Sequence, residues 1–186
     1  MKHLINLQEA KTIFATNTSS LSITELAAIY RKTGASDWHA LYESCPCHLK
    51  LVEVIRALQT SDDTYQLVCE TAKALNKTPI EVEDFPGFVS NRILMPMINE
   101  AIYTLYEGVA DAESIDGVMT LGMNHPMGPL RLADFIGLDT CLFIMNTLHE
   151  GLGDSKYRPC PLLKKCVNAG WLGKKERKVF TYHDHS

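Results

Sequence analysis

A chain of 186 residues suits one domain or two small ones, and 46% apolar with 22% charged residues predicts a packed core rather than disorder. A net charge of −4 provides no basic field for nucleic acid, and no apolar run reaches the roughly 18 residues of a membrane-spanning helix. The opening residues lack the apolar stretch of a secretory signal, so the six scattered cysteines predict free thiols in a cytoplasmic protein.

Strand and helix signals alternate over the first 84 residues. Short apolar runs predict strands, and Ser or Thr followed by carboxylates predicts helix starts. The predicted strands lie at about 12–15, 51–55 and 79–82, and the predicted helices begin at Ser22, where Glu25 completes a capping box, and at Ser61. This alternation predicts an α/β unit with a parallel sheet.

Helix signals alone follow from residue 85 onwards. Pro86 predicts a helix from about Gly87 to Glu107, with Pro96 inside it and Gly108 at its end. Further helices are predicted at 112–121, from 129, at 139–150, where Gly151 ends the helix, and at 161–169. The sequence therefore predicts two domains, an α/β domain at 1–84 and an all-α domain at 85–186.

A glycine-rich phosphate-binding turn is missing from the sequence. The first glycine is Gly34, and no G-x-G-x-x-G occurs anywhere. Gly151 and Gly153 follow a helical pattern instead of a strand. Because such a turn lets backbone amides meet the pyrophosphate, the chain is not expected to hold a dinucleotide in the usual way by itself.

Two polar residues have chemistry worth testing. Glu53 lies in the middle of the Leu-Val-Glu-Val-Ile strand, where it could orient a histidine base, although the pattern alone favours a solvent-exposed face. Asn91 follows Pro-Gly-Phe-Val-Ser near a helix start and could donate to a substrate carbonyl or a catalytic imidazole, although an ordinary polar residue near a helix start is the simpler interpretation. Cys45, Cys47 and His48 lack a second ligand pair, so no metal site is predicted.

Several long strings identify a family. They lie at 13–24, 50–56, 86–92, 121–129, 138–140 and 169–175. Together they resemble the 3-hydroxyacyl-CoA dehydrogenases, most closely the bacterial 3-hydroxybutyryl-CoA dehydrogenases. The resemblance implies a Rossmann NAD-binding domain, of which 1–84 would be the C-terminal part, followed by a helical domain at 85–186 that binds substrate and forms a homodimer.

The family's chemistry can be transferred to four positions. The reaction implied is NAD-dependent oxidation of a 3-hydroxyacyl-CoA to the 3-ketoacyl-CoA, in fatty acid or butanoate metabolism. The resemblance makes Glu53 the glutamate that orients a catalytic histidine and Asn91 the catalytic-site asparagine. It makes Ser20 a substrate-binding residue and Lys175 a residue that reaches the cofactor.

The histidine itself is absent from its expected place. The family reads Gly-Met-His-Phe-Met-Asn-Pro-Val-Pro-Val before the lysine that matches Lys50, and ungapped counting puts Leu41 at the histidine. One allowed coding of residues 38–48, read one base later, gives that family motif with its histidine. We therefore hypothesise two compensating frameshifts that bracket about 30–49, in a chain that begins inside the Rossmann domain.

These departures predict how the chain behaves alone. Without a base and without the glycine-rich turn, it is expected to be inactive by itself. Two alternatives stay open. One is a non-catalytic module that dimerises or binds acyl-CoA, and the other is a segment of a longer, active enzyme.

Overall fold

The computed structural model describes residues 13–16, 22–31, 37–42, 50–173 and 179–180. The chain forms two compact units, residues 1–89 and 90–186. The first unit is an α/β structure and the second is helical, as the sequence predicts.

The first unit contains a four-stranded sheet in the order β1-β2-β3-β4. Its elements are β1 (Ile13–Thr16), α1 (Ile23–Arg31), β2 (Asp37–Tyr42), β3 (Leu51–Arg56), α2 (Asp62–Ala74) and β4 (Thr78–Glu83). The pairs β1–β2 and β3–β4 are parallel, whereas β2 and β3 are antiparallel. Residues 43–50 are too few for the crossover that two neighbouring parallel strands need, which explains this exception.

The two faces of β3 pack against different partners. Val52 and Val54 contact Val68, Cys69 and Ala72 of α2 on one face. On the other face, Ile55 contacts buried residues of α1, β4 and the following turn, namely Ile23, Val82 and Phe88. Because side chains alternate along a strand, Glu53 lies on the same face as Ile55. That face is therefore covered, not open to solvent.

Arg56 at the end of β3 ties three elements of the first unit together. Its guanidinium pairs with Asp62 of α2 at 2.6 Å and with Glu81 of β4 at 3.3 Å. It also lies 5.0 Å from the centre of the Tyr65 ring. The hydrogen bonds to both carboxylates raise the pKa of Arg56. Since Asp62 is largely exposed, these ion pairs add little to the free energy of unfolding. Their main effect is to fix α2 and β4 relative to the end of β3.

The second unit is a helical bundle around one core. Its elements are α3 (Ser90–Tyr106), α4 (Ala112–Gly117), a π-helical turn (Val118–Gly122), α5 (Pro129–Ile136), α6 (Leu138–Leu152), a 3₁₀ turn (Ser155–Tyr157) and α7 (Pro161–Asn168). Six described helical core residues have no exposed surface: Ile102, Leu130, Ala133, Leu138, Leu148 and Leu163. The bundle buries a continuous apolar core over α3 to α7.

The predicted bounds of two helices are wrong for reasons of backbone geometry. Gly87 and Phe88 have φ values of +74° and +50°, which an α-helix cannot accommodate, so α3 begins at Ser90 rather than at Gly87. The helix predicted to end at Gly151 continues to Leu152, and Gly153 ends it with a φ of +65°. The predicted helix 112–121 is divided into α4 and the π-helical turn.

Candidate active site

Glu53 is the buried carboxylate of the first unit. Only 3% of its surface is exposed, and its Oε1 accepts a hydrogen bond of 3.3 Å from the backbone N–H of Val89. A carboxylate in such a position is costly to bury unless hydrogen bonds compensate it. The simpler interpretation from the sequence, a solvent-exposed face, is therefore wrong. The covering residues Ile23 and Phe88 come from distant parts of the chain, so the local pattern could not show them.

The register between β2 and β3 shows where the position expected for a histidine base lies relative to Glu53. Tyr42 is the Cα partner of Glu53, and Leu41 is the partner of Val54. The residue that matches the family's histidine by counting therefore lies on the strand next to Glu53, one residue out of register with it.

Asn91 is the second residue of α3 and belongs to the second unit. It is buried, with 4% of its surface exposed. The turn over 86–89 precedes it in the chain, with Gly87 and Phe88 in left-handed conformations. Asn91 is therefore a buried amide near the start of α3.

Two other predicted site residues, Ser20 and Lys175, lie outside the described residues. Their described neighbours are well anchored. Ser22 donates a hydrogen bond to Asp84, and Gly173 has a φ of +87°. The Cys45, Cys47 and His48 group also lies outside the described part. Within the described ranges, no group of three or more His, Cys, Asp or Glu residues could hold a metal ion.

Asp84 is a structural carboxylate that the sequence analysis missed. It accepts hydrogen bonds from the Ser22 hydroxyl at 2.9 Å, from the Ile23 N–H at 3.2 Å and from the Thr24 N–H at 2.8 Å. The predicted capping box is correct in its first half, because Ser22 Oγ accepts from the Glu25 N–H at 3.2 Å. The carboxylate that completes the cap comes from the end of β4, some sixty residues away, where no local signal points to it.

The described strand–helix turn of the first unit does not fit the pyrophosphate of a dinucleotide. Residues 57–61, which connect β3 to α2, contain no glycine. A side chain at such a turn keeps the backbone amides from approaching the phosphates closely. This turn therefore does not supply a phosphate cradle.

Two of the cavities that described residues line lie in the second unit. The larger, of about 470 Å³, is an apolar groove between α3 and α4 with Ala101, Ile115, Val118 and Met119 in its wall. The smaller, of about 340 Å³, is more polar and includes Asp116, Thr120 and Arg131.

Two aspartates that cap helices of this unit have pKa values shifted in opposite directions. Burial raises the pKa of Asp116, although the N–H groups of Leu130 and Arg131 oppose the shift. The backbone N–H of Ser114, and then its hydroxyl, lower the pKa of exposed Asp111. The two groups should therefore respond to acid in opposite ways.

Replacing either aspartate by asparagine should change how the free energy of unfolding depends on pH, and the two changes should have opposite signs. The folded state holds the Asp116 proton more tightly than the unfolded chain does, so its contribution to stability is greatest below about pH 4 and decreases as the pH rises. The contribution of Asp111 is present above about pH 4 and is lost as the pH falls through its lowered pKa. Urea unfolding of the wild-type chain, D116N and D111N across this range measures both contributions. If the loss of free energy of unfolding changed with pH in the same direction in both variants, the expectation would be contradicted.

Among the described residues, no helix is long and apolar enough to cross a membrane.

Two family models match the chain. The model of the NAD binding domain of 3-hydroxyacyl-CoA dehydrogenase matches residues 1–85, and that of the C-terminal domain matches residues 87–183. Together they account for both structural units.

Named relatives and a solved structure agree with these models. A Bacillus subtilis protein named "Probable 3-hydroxybutyryl-CoA dehydrogenase" is 63% identical over 169 residues, which are 91% of this chain and 58% of that protein. The 3-hydroxybutyryl-CoA dehydrogenase of Bradyrhizobium diazoefficiens is 56% identical over 91% of this chain and 58% of its own length. The crystal structure of (S)-3-hydroxybutyryl-CoA dehydrogenase from Ralstonia eutropha superposes with a TM-score of 0.90 at 48% identity, covering 98% of this chain and 65% of that one. The chain thus spans less than two thirds of the length of these relatives.

Proposed function

Because the chain belongs to the 3-hydroxyacyl-CoA dehydrogenase family, we propose that it serves the NAD-dependent oxidation of 3-hydroxyacyl-CoA, of the 3-hydroxybutyryl-CoA type, to 3-ketoacyl-CoA. The observation that carries this proposal is the buried Glu53 carboxylate, held by the Val89 N–H two residues before Asn91. The sequence strings around both residues are those that resemble the family.

Each proposed site residue has a distinct role. Glu53 orients the imidazole of a base and stabilises its protonated form, and Asn91 donates an amide N–H to the oxygen of the substrate. Ser20 binds the substrate, and Lys175 reaches the cofactor. NAD would supply the hydride acceptor of this reaction. The described residues give no phosphate cradle at 57–61, so the contribution proposed for this chain's own residues is to bind and orient acyl-CoA.

The chain alone is proposed to bind acyl-CoA without turning it over. Leu41 stands where the family has a histidine, and a leucine cannot accept the hydroxyl proton. A positioned general base typically contributes about 10²–10⁴-fold in rate. The frameshift hypothesis explains why leucine stands in place of the histidine, and sequencing the gene through codons 28 to 50 tests this hypothesis. DNA whose shifted frame does not encode the Gly-Met-His motif would reject it.

Calorimetry with acetoacetyl-CoA, together with an absorbance assay in NADH, tests the proposed function. The chain is expected to bind acetoacetyl-CoA, and Asn91→Asp should raise the Kd about tenfold because the amide donor is lost. Asn168→Ala, at the exposed last residue of α7, is the matched control and should leave the Kd unchanged. Unfolding in urea confirms that each variant is folded.

The outcomes separate the alternatives. Absence of binding by the wild-type chain would reject the proposal. Measurable NADH oxidation would contradict its inactivity. An unchanged Kd in N91D would remove Asn91 from the site.

We also propose that the second unit forms a homodimer. The support is the apolar groove of about 470 Å³ and the exposed apolar side chains beside it, among them Val109 (71% exposed), Val118 (62%) and Leu121 (90%). The same surface supports the alternative of a non-catalytic dimerising module. Sedimentation of the wild-type chain and of Val118→Glu distinguishes a dimer from a monomer.

A cytoplasmic location is supported by Cys69, Cys141, Cys160 and Cys166, which are free, buried thiols.

A further inference from the structure

We propose that Asp84 is a positioning residue that fixes the start of α1 relative to Glu53. This inference rests on the proposed function, because the segment it fixes follows Ser20 directly and Glu53 is the proposed orienting carboxylate. Asp84 itself contacts neither substrate nor base in this proposal; it acts through the backbone on either side of it.

The first half of the link joins Asp84 to α1. One carboxylate receives three hydrogen bonds, from the Ser22 hydroxyl and from the N–H groups of Ile23 and Thr24, at 2.8 to 3.2 Å. These N–H groups have no partner inside a helix, and the positive end of the helix dipole favours a negative charge there. The Asp84 carboxylate therefore fixes the first turn of α1.

The second half of the link joins Asp84 to Glu53 through the turn that follows it. The Phe88 N–H donates to the Phe85 carbonyl at 2.9 Å, and the Val89 N–H donates to Glu53 Oε1 at 3.3 Å. Gly87, with a φ of +74°, allows the chain to reverse within this short segment.

The side chain of Phe88 packs the turn against both α1 and β3. It is 3% exposed and packs in one cluster with Ile23 of α1 and Ile55 of β3. A shift of α1 away from Asp84 would therefore disturb the packing of Phe88 and, one residue later, the Val89 N–H. Asp84 and Phe88 together hold the start of α1 and Glu53 in one arrangement.

Amide hydrogen exchange of the full chain separates this role from simple helix capping. Asp84→Asn removes the charge and leaves one acceptor oxygen, so the Ile23 and Thr24 amides should exchange about tenfold faster. If Asp84 positions Glu53, the Val89 amide should also exchange several-fold faster. The Kd for acetoacetyl-CoA should then rise about tenfold. Asp111→Asn is the matched control, since Asp111 caps α4 in the second unit through the Ser114 N–H; it should alter neither Val89 exchange nor the Kd.

Each result decides the proposal. Faster exchange at Thr24 with unchanged exchange at Val89 would overturn it and leave Asp84 as a helix cap. If D84N does not fold, Ser22→Ala removes the 2.9 Å contact to Asp84 together with the 3.2 Å bond from the Glu25 N–H, keeps the Ile23 and Thr24 bonds to Asp84, and should still speed exchange at Val89; no change there would equally overturn the proposal. A wild-type chain that binds no acetoacetyl-CoA would reject the proposed function, while the exchange of Val89 would still decide whether Asp84 positions Glu53.

Discussion

Gly128→Ala is expected to lower the free energy of unfolding by about 3–5 kcal/mol. A Cβ at this position would overlap the Cβ and Cγ of Asp116, far inside van der Waals contact. These atoms lie close to the backbone of α4, so the side chain cannot simply swing its far end away. The alanine would displace a carboxylate that accepts from the N–H groups of Leu130 at 2.8 Å and Arg131 at 2.9 Å.

The displaced cap would also disturb the core. Asp116 is 4% exposed, and α5, which it caps, buries Leu130 and Ala133 completely. The cost therefore combines overlap, a buried carboxylate without its N–H donors, and a shift of core side chains.

Gly117→Ala is a control that should raise the free energy of unfolding instead of lowering it. Gly117 has helical backbone angles, φ −62° and ψ −45°, and no atom lies within 4 Å of a Cβ built on it. Alanine there should stabilise the chain by about 0.5–1 kcal/mol, because it restricts the unfolded chain without strain. Urea unfolding of both variants measures the difference. Equal, small effects of the two substitutions would show that Asp116 and Gly128 do not pack as closely as the structure indicates.

The elements that follow local rules could be predicted from the sequence. Ser61 caps α2 by accepting from the Thr64 N–H, and Gly108, with a φ of +72°, follows the end of α3. Pro79 lies in β4 at the edge of the described sheet, where its missing N–H is tolerated. Each of these signals acts within a few residues, which is why a single sequence contains them.

The features that depend on distant residues could not be predicted in this way. The burial of Glu53 depends on Ile23 and Phe88, and the cap of α1 depends on Asp84. The left-handed backbone of Gly87 and Phe88 sets the start of α3 at Ser90, although Pro86 is a helix signal. Family resemblance proposed Glu53 and Asn91 as site residues, whereas residue patterns alone favoured a solvent-exposed face for Glu53 and an ordinary polar residue near a helix start for Asn91. The roles of both residues in the site stay predictions.

Asp134→Ala is expected to lower the free energy of unfolding by about 3 kcal/mol and to expose the segment 174–178 to protease. Asp134 is 3% exposed at the end of α5. Its carboxylate accepts from the N–H of Phe180 at 2.9 Å and from the N–H of Val179 at 3.2 Å. Phe180 is itself part of the core of the second unit, so losing its anchor also weakens apolar packing.

The same residue also contacts the chain before this segment. A Cβ on Gly173 would lie 2.6 Å from the Asp134 carbonyl oxygen, and Gly173 has a φ of +87°, so the backbone there runs against α5. Lys175, proposed to reach the cofactor, lies between these two anchored points. Trypsin can cut after Lys174, Lys175, Arg177 and Lys178, so cleavage reports directly on the anchoring.

Limited trypsin digestion followed by mass spectrometry, with urea unfolding, measures both effects. Asp134→Asn keeps one acceptor oxygen and should lose about half as much stability as the alanine variant. Asp154→Ala is the control, because Asp154 caps only the exposed 3₁₀ turn through the Lys156 N–H at 2.9 Å and should cost about 1 kcal/mol or less. If D134A were cut within 174–178 no faster than D154A, the bonds from the Asp134 carboxylate to the Val179 and Phe180 N–H groups would not control cleavage there, which would contradict the prediction.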